Sequence, residues 1–240
     1  MQGRRTVTAL VSSAGRYLGT VEPFEVPGPW WAYVEGVTGH LDQVLGVPTA
    51  VVRLLRADHA ESGRGGPVTY HVEVLDPPRQ GMLAGSAPEC WPDVLADHSL
   101  RSSWARPAGP RELVDWATRA SQASGRPLAG RPVQVKTWNL SCVYRLSTVD
   151  GTVWAKTTAH FGGDEAASIR LARRHDPGLA PEVLVHDPVG RRFLMRNGSG
   201  TDCWAAPVET VQAVVRRWVA VQAAIAGVHG TAGGQAITGG

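Results

Sequence analysis

Lysine is nearly absent from this chain. Of its 240 residues 24 are basic, and all of these except Lys136 and Lys156 are arginine. Such a skew looks compositional, as in a GC-rich coding sequence. The net charge of +3 is a small excess and by itself argues for no anionic partner. The skew does single out the two lysines. Cysteine is scarce as well: Cys90, Cys142 and Cys203 are odd in number, far apart and in no C-x-x-C pairing. That excludes a disulfide scaffold and predicts a reduced, cytoplasmic setting. No apolar run approaches the roughly 20 residues of a membrane-spanning helix. Arg4-Arg5 and the short stretch Val7 to Val11 fall short of a twin-arginine or secretory leader, which needs a longer apolar run and a cleavage site. No period of about 20–50 residues repeats. What is present, 43% hydrophobic and 19% charged residues, is the make-up of an ordinary globular protein with a sizeable core.

The first part of the chain predicts a β-β-α-β-β module. Thr6 to Val11 and Tyr17 to Val21 alternate as strands around the turn Ser12 to Gly15, and Pro23 to Pro29 breaks the pattern. Apolar residues recur at helical spacing from Trp30 to Leu45 and stop at Gly46. Thr49 to Leu55 and Val68 to Leu75 are β-branched runs around a polar, glycine-rich tip at Glu61 to Gly66, a hairpin with a long loop. Asp76 to Arg111, rich in proline and glycine, reads as irregular wrapping. Glu112 to Ser124 has Leu113, Trp116 and Ala120 on one helical face, and Gly125 to Pro132 is a Gly/Pro joint that marks a candidate domain boundary.

The second part is more regular. Val133 to Thr137 and Cys142 to Thr148 predict strands around the turn Trp138 to Ser141. Asp150-Gly151 is a hairpin signal, and Thr152 to Thr158 is the next strand. Asp164 to Arg174 is a helix, acidic in its first turn and basic in its last, as the helix dipole favours. Pro181 to His186 and Arg191 to Met195 are two further strands, followed by a glycine-rich hinge, Asn197 to Gly200, and a helix from Pro207 to about Ala226. The whole is an α+β protein: residues 1–105 an amino-terminal module, 106–130 a linker with a helix, 131–200 a mainly antiparallel lobe with one helix, and 201–240 a helix and a small-residue tail.

The order β-β-β-α-β-β-hinge-α resembles the amino-terminal lobe of the kinase-like phosphotransferases. So do a lysine that ends the third strand and a glutamate in the next helix. The similarity is to the aminoglycoside phosphotransferase-like family, in the actinobacterial form with an extra amino-terminal module. It covers roughly Arg131 to Gly227, and it rests on Val135 to Ser141, Val153-Trp154-Ala155-Lys156, Asp164-Glu165 and Leu194 to Gly200. The resemblance implies ATP with Mg as cofactor and a small-molecule substrate. Lys156 would then hold the α- and β-phosphates and Glu165 would orient it by an ion pair. The turn with Asn139 and Ser141 would sit over the phosphates, and Arg196, Asn197 and Gly198 would offer backbone groups to the adenine edge. Strand alternation places Trp154 on the face of Lys156, where it would stack on the base or narrow the pocket. The plain alternatives are a solvent-facing strand lysine, a dipole-favoured carboxylate and a core aromatic.

The same family keeps its base and metal ligands in a H-x-D-x-x-x-x-N loop of the second lobe. Here only fourteen residues follow Ala226. His229-Gly230-Thr231 begins like that loop, but Thr231 stands for the base and Ala236 for the asparagine. No catalytic residue and no metal ligand is therefore assigned, and the chain reads as an ATP-dependent phosphotransferase truncated before its catalytic loop. One alternative is a non-catalytic kinase-like binding or scaffold protein. A weaker one is a nucleic-acid-binding protein, for which Arg173-Arg174 and Arg191-Arg192 would supply the basic patch. The histidines have no metal spacing, and neither a G-x-S-x-G elbow nor a cysteine–histidine pair stands out. On the last helix Val208, Val211, Val215, Trp218, Val219, Gln222 and Ile225 fall at helical spacing. That predicts a bare apolar face through which helix 207–226 would self-associate or dock back on the amino-terminal module.

Overall fold

The computed structural model describes residues 3–58, 63–77, 83, 85–198, 200 and 205–232, with side chains of the last helix described to residue 227. The protein is mixed α+β, with two sheets, nearly all of whose pairings are antiparallel, and five helices among the described residues. Cys203 and residues 233–240 of the tail lie outside them, as does part of the tip Glu61 to Gly66.

The first sheet holds β1 (Arg4–Ser13), β2 (Arg16–Pro27), β3 (Thr49–Ala57) and β4 (Gly66–Val74) in the order β2-β1-β4-β3. β1–β2 and β3–β4 are antiparallel, whereas β1 and β4 run parallel through the middle. Helix α1 (Glu35–Leu45) buries Val37, Leu41 and Leu45 against Val7, Ala9, Val11, Tyr70 and Val72, one alternating face of the sheet. It ends at Gly46, whose φ of +65° is the left-handed conformation that glycine adopts without strain. Three boundaries differ from the expectation. The second strand continues through Pro23 to Pro27, because it is a sheet edge where a missing N–H costs no ladder bond. The helix expected from Trp30 begins at Glu35, since Trp30 and Tyr33 are drawn into β-bridges. The stretch Asp76 to Arg111, expected to be irregular, contains α2 (Trp91–Leu95) and a 3-10 turn at Ser103–Ala105.

The second sheet holds β5 (Val133–Thr137), β6 (Ser141–Thr148), β7 (Gly151–Thr158), β8 (Val183–Asp187) and β9 (Arg192–Arg196). All are antiparallel, in the order β5-β6-β7-β9-β8. α3 (Gly109–Ala123) begins three residues ahead of its expected start. With Trp104 it covers one face, burying Leu113 and Ala117 against Tyr144, Leu146, Ala155 and Leu194. Gly109 is required there: a Cβ would stand 2.1 Å from the Ser103 carbonyl oxygen. α4 (Glu165–His175) follows β7, its first turn capped by the Asp164 carboxylate accepting from the Ala167 N–H.

The amino-terminal module is joined to the free edge of β5. Val34 N–H donates to the Val135 carbonyl and Thr137 N–H to the Ala32 carbonyl, so residues 32–34 act as a short extra strand. Gln134 closes a second contact, accepting from Val51 N–H at 2.7 Å and donating to the Val51 carbonyl at 2.9 Å. Arg145 forks onto Glu35 at 2.5 and 3.2 Å.

α5 (Val208–Ala232) meets the body through Arg217, bidentate on Asp176 at 2.7 Å, and through buried Val221. Val211, Val215, Trp218 and Val219 are 47–57% exposed. No helix among the described residues is long and apolar enough to cross a membrane. The uncharged dye Nile red is expected to brighten on this protein. Val215→Glu with Trp218→Glu should remove most of that signal without lowering the thermal midpoint; undiminished brightening would place the apolar surface elsewhere.

His71 lies fully buried on the first sheet, its Nε2 2.8 Å from the Ser12 hydroxyl and its ring edge-on to Trp91. Burial, then the charges of Arg53 and Arg101, push its pKa down to about 4. Because the folded value lies below the ordinary 6.5, stability is present above that pH and is lost as pH falls from about 6.5 to 4. The loss should amount to about 3 kcal/mol. Urea denaturation across that range should show it, and His71→Phe should flatten the dependence.

Candidate functional site

Strand register assembles the site. Lys136 on β5 pairs with Val143 on β6, which pairs with Lys156 on β7, which pairs with Phe193 on β9. Facing residues of neighbouring strands project to the same side, so the only two lysines of the chain share one row. They lie on the face opposite α3. The Lys156 ammonium donates to the Glu165 carboxylate at 2.5 Å, with 21% and 39% of the two side chains exposed. The capped start of α4 holds that glutamate in place. Lys136 has no carboxylate partner among the described residues; its ammonium lies 5.4 Å from the ring centre of Tyr33 and 4.9 Å from that of Trp138. Partial burial, and then the nearby Lys156, hold its pKa below the usual lysine value.

Two residues before Lys156 and on the same face, Trp154 donates its indole N–H to the Asn197 side-chain oxygen at 2.7 Å. Trp154, Arg196, Asn197 and Gly198 border one cavity of about 670 Å³, together with Met195 and the loop after α4. Lys156 and Glu165 do not border it. The Arg196 N–H donates to the Glu182 carbonyl and the Asn197 N–H to the Thr152 carbonyl, so both are spent within the sheet. Only the Gly198 N–H has no partner among the described residues. The Arg196 guanidinium is on Glu182 at 2.8 Å.

The turn between β5 and β6 is tied by its own residues. Trp138 donates its backbone N–H to the Ser141 carbonyl and its indole N–H to the Ser141 hydroxyl, while Asn139 is exposed. Asn139 and Trp138 border a second cavity, of about 790 Å³, between the two sheets. That cavity could not be read from the sequence, because it exists only once the modules dock. Of the four arginines offered as a basic patch, three are engaged within the protein. Arg192 pairs with Asp187 and covers Trp116, Arg173 reaches the Pro177 and Ala180 carbonyls, and Arg191 reaches the Gly162 carbonyl. Among the described residues no group of three or more His, Cys, Asp or Glu side chains is close enough to hold a metal.

Neither a family model nor a curated protein nor a solved structure matches the chain.

Because the Lys156–Glu165 pair is partly open to solvent, it does little for the fold. Lys156→Met is expected to change the unfolding free energy by less than about 1 kcal/mol, measured by urea denaturation. A loss of several kcal/mol would make the pair a structural strut rather than a functional one.

Proposed function

We propose that the second sheet and α4 form the nucleotide-holding lobe of an ATP-dependent small-molecule phosphotransferase, of the aminoglycoside phosphotransferase-like kind. The observation that carries this reading is the strand-end Lys156 held at 2.5 Å by the first-turn Glu165 of the following helix. A lysine so oriented is a point cation with two further donors to offer a phosphate. Two other features support it. Lys136 supplies a second cation in the same row, without a carboxylate of its own among the described residues. The sheet order also brings the hinge-bearing β9 beside β7, so that Trp154 and Asn197 meet at one cavity large enough for a purine base.

These residues fit a nucleotide's phosphates and base. They do not fit its Mg, for which the described residues offer no carboxylate set. ATP would bring the transferable phosphoryl group. The residues of this chain would hold and orient it, and the aspartate base of the family's second lobe has no counterpart in these 240 residues. That the described residues offer no carboxylate set for Mg favours a second reading, a kinase-like protein that binds without turning over. One pair of measurements separates the two. Calorimetry with Mg-ATP is expected to give weak binding, with Kd above about 100 μM, that Lys156→Met abolishes. No ATP consumption above background is expected with a panel of aminoglycosides and amino sugars. Binding that ignores Lys156→Met would overturn the nucleotide reading, and turnover would overturn the non-catalytic one.

A further inference from the structure

The cavity of about 790 Å³ between the two modules has apolar walls and two guanidinium groups. Trp31 and Leu54 of the first module face Trp104, Trp138 and the half-exposed Phe161 of the second. The indole N–H groups of Trp31 and Trp104 are already committed, to the Gly65 and Trp138 carbonyls, so these side chains offer ring surface rather than donors.

Arg53 and Arg101 also line the cavity, held close together by the end of α2. Arg53 donates to the Val94 carbonyl at 2.5 Å and Arg101 to the Ala96 carbonyl, two residues on. Neither has a carboxylate partner among the described residues. Eight other arginines pair with carboxylates, and of those that do not, only Arg53 and Arg101 line this cavity. The carboxylate next along the chain, Asp97, is turned to Arg106 and is 72% exposed. Burial, and then the charge of Arg101, lower the pKa of Arg53, as expected of two cations left facing each other. A third observation is independent of charge. Ser102 borders the same cavity, its residue only 5% exposed, and its hydroxyl has no hydrogen-bond partner. A buried polar group without a partner costs free energy, as does a pair of like charges. Both costs disappear if an acceptor-rich anion occupies the space.

We propose that this cavity is a binding site for a small organic phosphate: its anion lies between Arg53, Arg101 and the Ser102 hydroxyl, and its ring lies against Trp138 and Phe161. Every polar group named is a donor, which suits the several acceptor oxygens of a phosphate monoester. The planar guanidinium forks match its geometry. The site is distinct from the row of Lys136 and Lys156 and does not rest on the nucleotide reading.

Phenyl phosphate serves as the probe, with inorganic phosphate and phenol as partial ligands, in calorimetry at low salt on the full chain. Phenyl phosphate is expected to bind at least about tenfold more tightly than either part, since anion and ring are held at once. Arg101→Gln should weaken it about tenfold or more while leaving the far-ultraviolet dichroism unchanged, and Lys156→Met should leave it as it was. Phenyl phosphate should also raise the thermal midpoint of the wild type but not of Arg101→Gln. Arg53→Gln should act in the same direction; if it does not fold, Arg101→Gln decides alone. No binding by the wild type would overturn the proposal, as would equal binding of inorganic and phenyl phosphate, or binding by Arg101→Gln at wild-type strength. Binding abolished by Lys156→Met would move the site to the lysine row and overturn it as well.

Discussion

The joint at β5 fixes everything around it. The second sheet would otherwise present β5 as a bare edge, a row of unpaired N–H and C=O groups open to pairing with another chain. Residues 32–34 cover it, and Gln134 fastens the junction by taking both backbone groups of Val51 on β3, the edge strand of the first sheet. A buried glutamine amide has a donor and an acceptor to satisfy, and an edge strand leaves one of each open at alternate residues. The two defects complete one another. Because α1 is docked by this joint, Glu35 reaches Arg145, and because β5 is held, the turn Trp138 to Leu140 stands between the two modules instead of swinging free.

The second sheet was legible in the sequence because its signals are local. Asp150-Gly151 marks a tight hairpin, alternation from Thr152 to Thr158 separates Ala155 and Val153 from Trp154 and Lys156, and an acidic cap opens α4. The spacing of Lys156 and Glu165 across that short connection was therefore readable before any contact was known. The parallel pairing of β1 with β4 was not. It joins residues some sixty apart, and nothing in either strand states its partner. The extension of β2 through two prolines was hidden for a related reason, since only the sheet order reveals that the strand is an edge. Segment 90–108 gave no periodic pattern because it is held by single contacts, such as Ala108 N–H to Glu73 and Trp104 into the second core.

The near-absence of lysine gives the charge distribution its meaning. A planar guanidinium forks readily onto a carboxylate, and the arginines here tie Asp42, Asp176, Asp187 and Glu182 to the frame. Lysine's compact ammonium has no such fork. Both lysines fall in one row, on the sheet face that α3 leaves open, and one of them is without a carboxylate among the described residues.

Two sets of cations without a carboxylate among the described residues flank the β5–β6 turn, Lys136 on one side and the Arg53–Arg101 pair beyond the other. Trp138 belongs to both. Its ring lies 4.9 Å under the Lys136 ammonium, its carbonyl accepts from Trp104, and its side chain borders the cavity that Arg53 and Arg101 line. Trp138 therefore stands beside both sets of cations. The turn that carries this ring is tied to Ser141 through both the backbone and the indole N–H of Trp138, so it holds the two sets of cations at a fixed spacing. An extra module that merely covered an edge could have done so with one strand. This one also encloses a cavity against the turn.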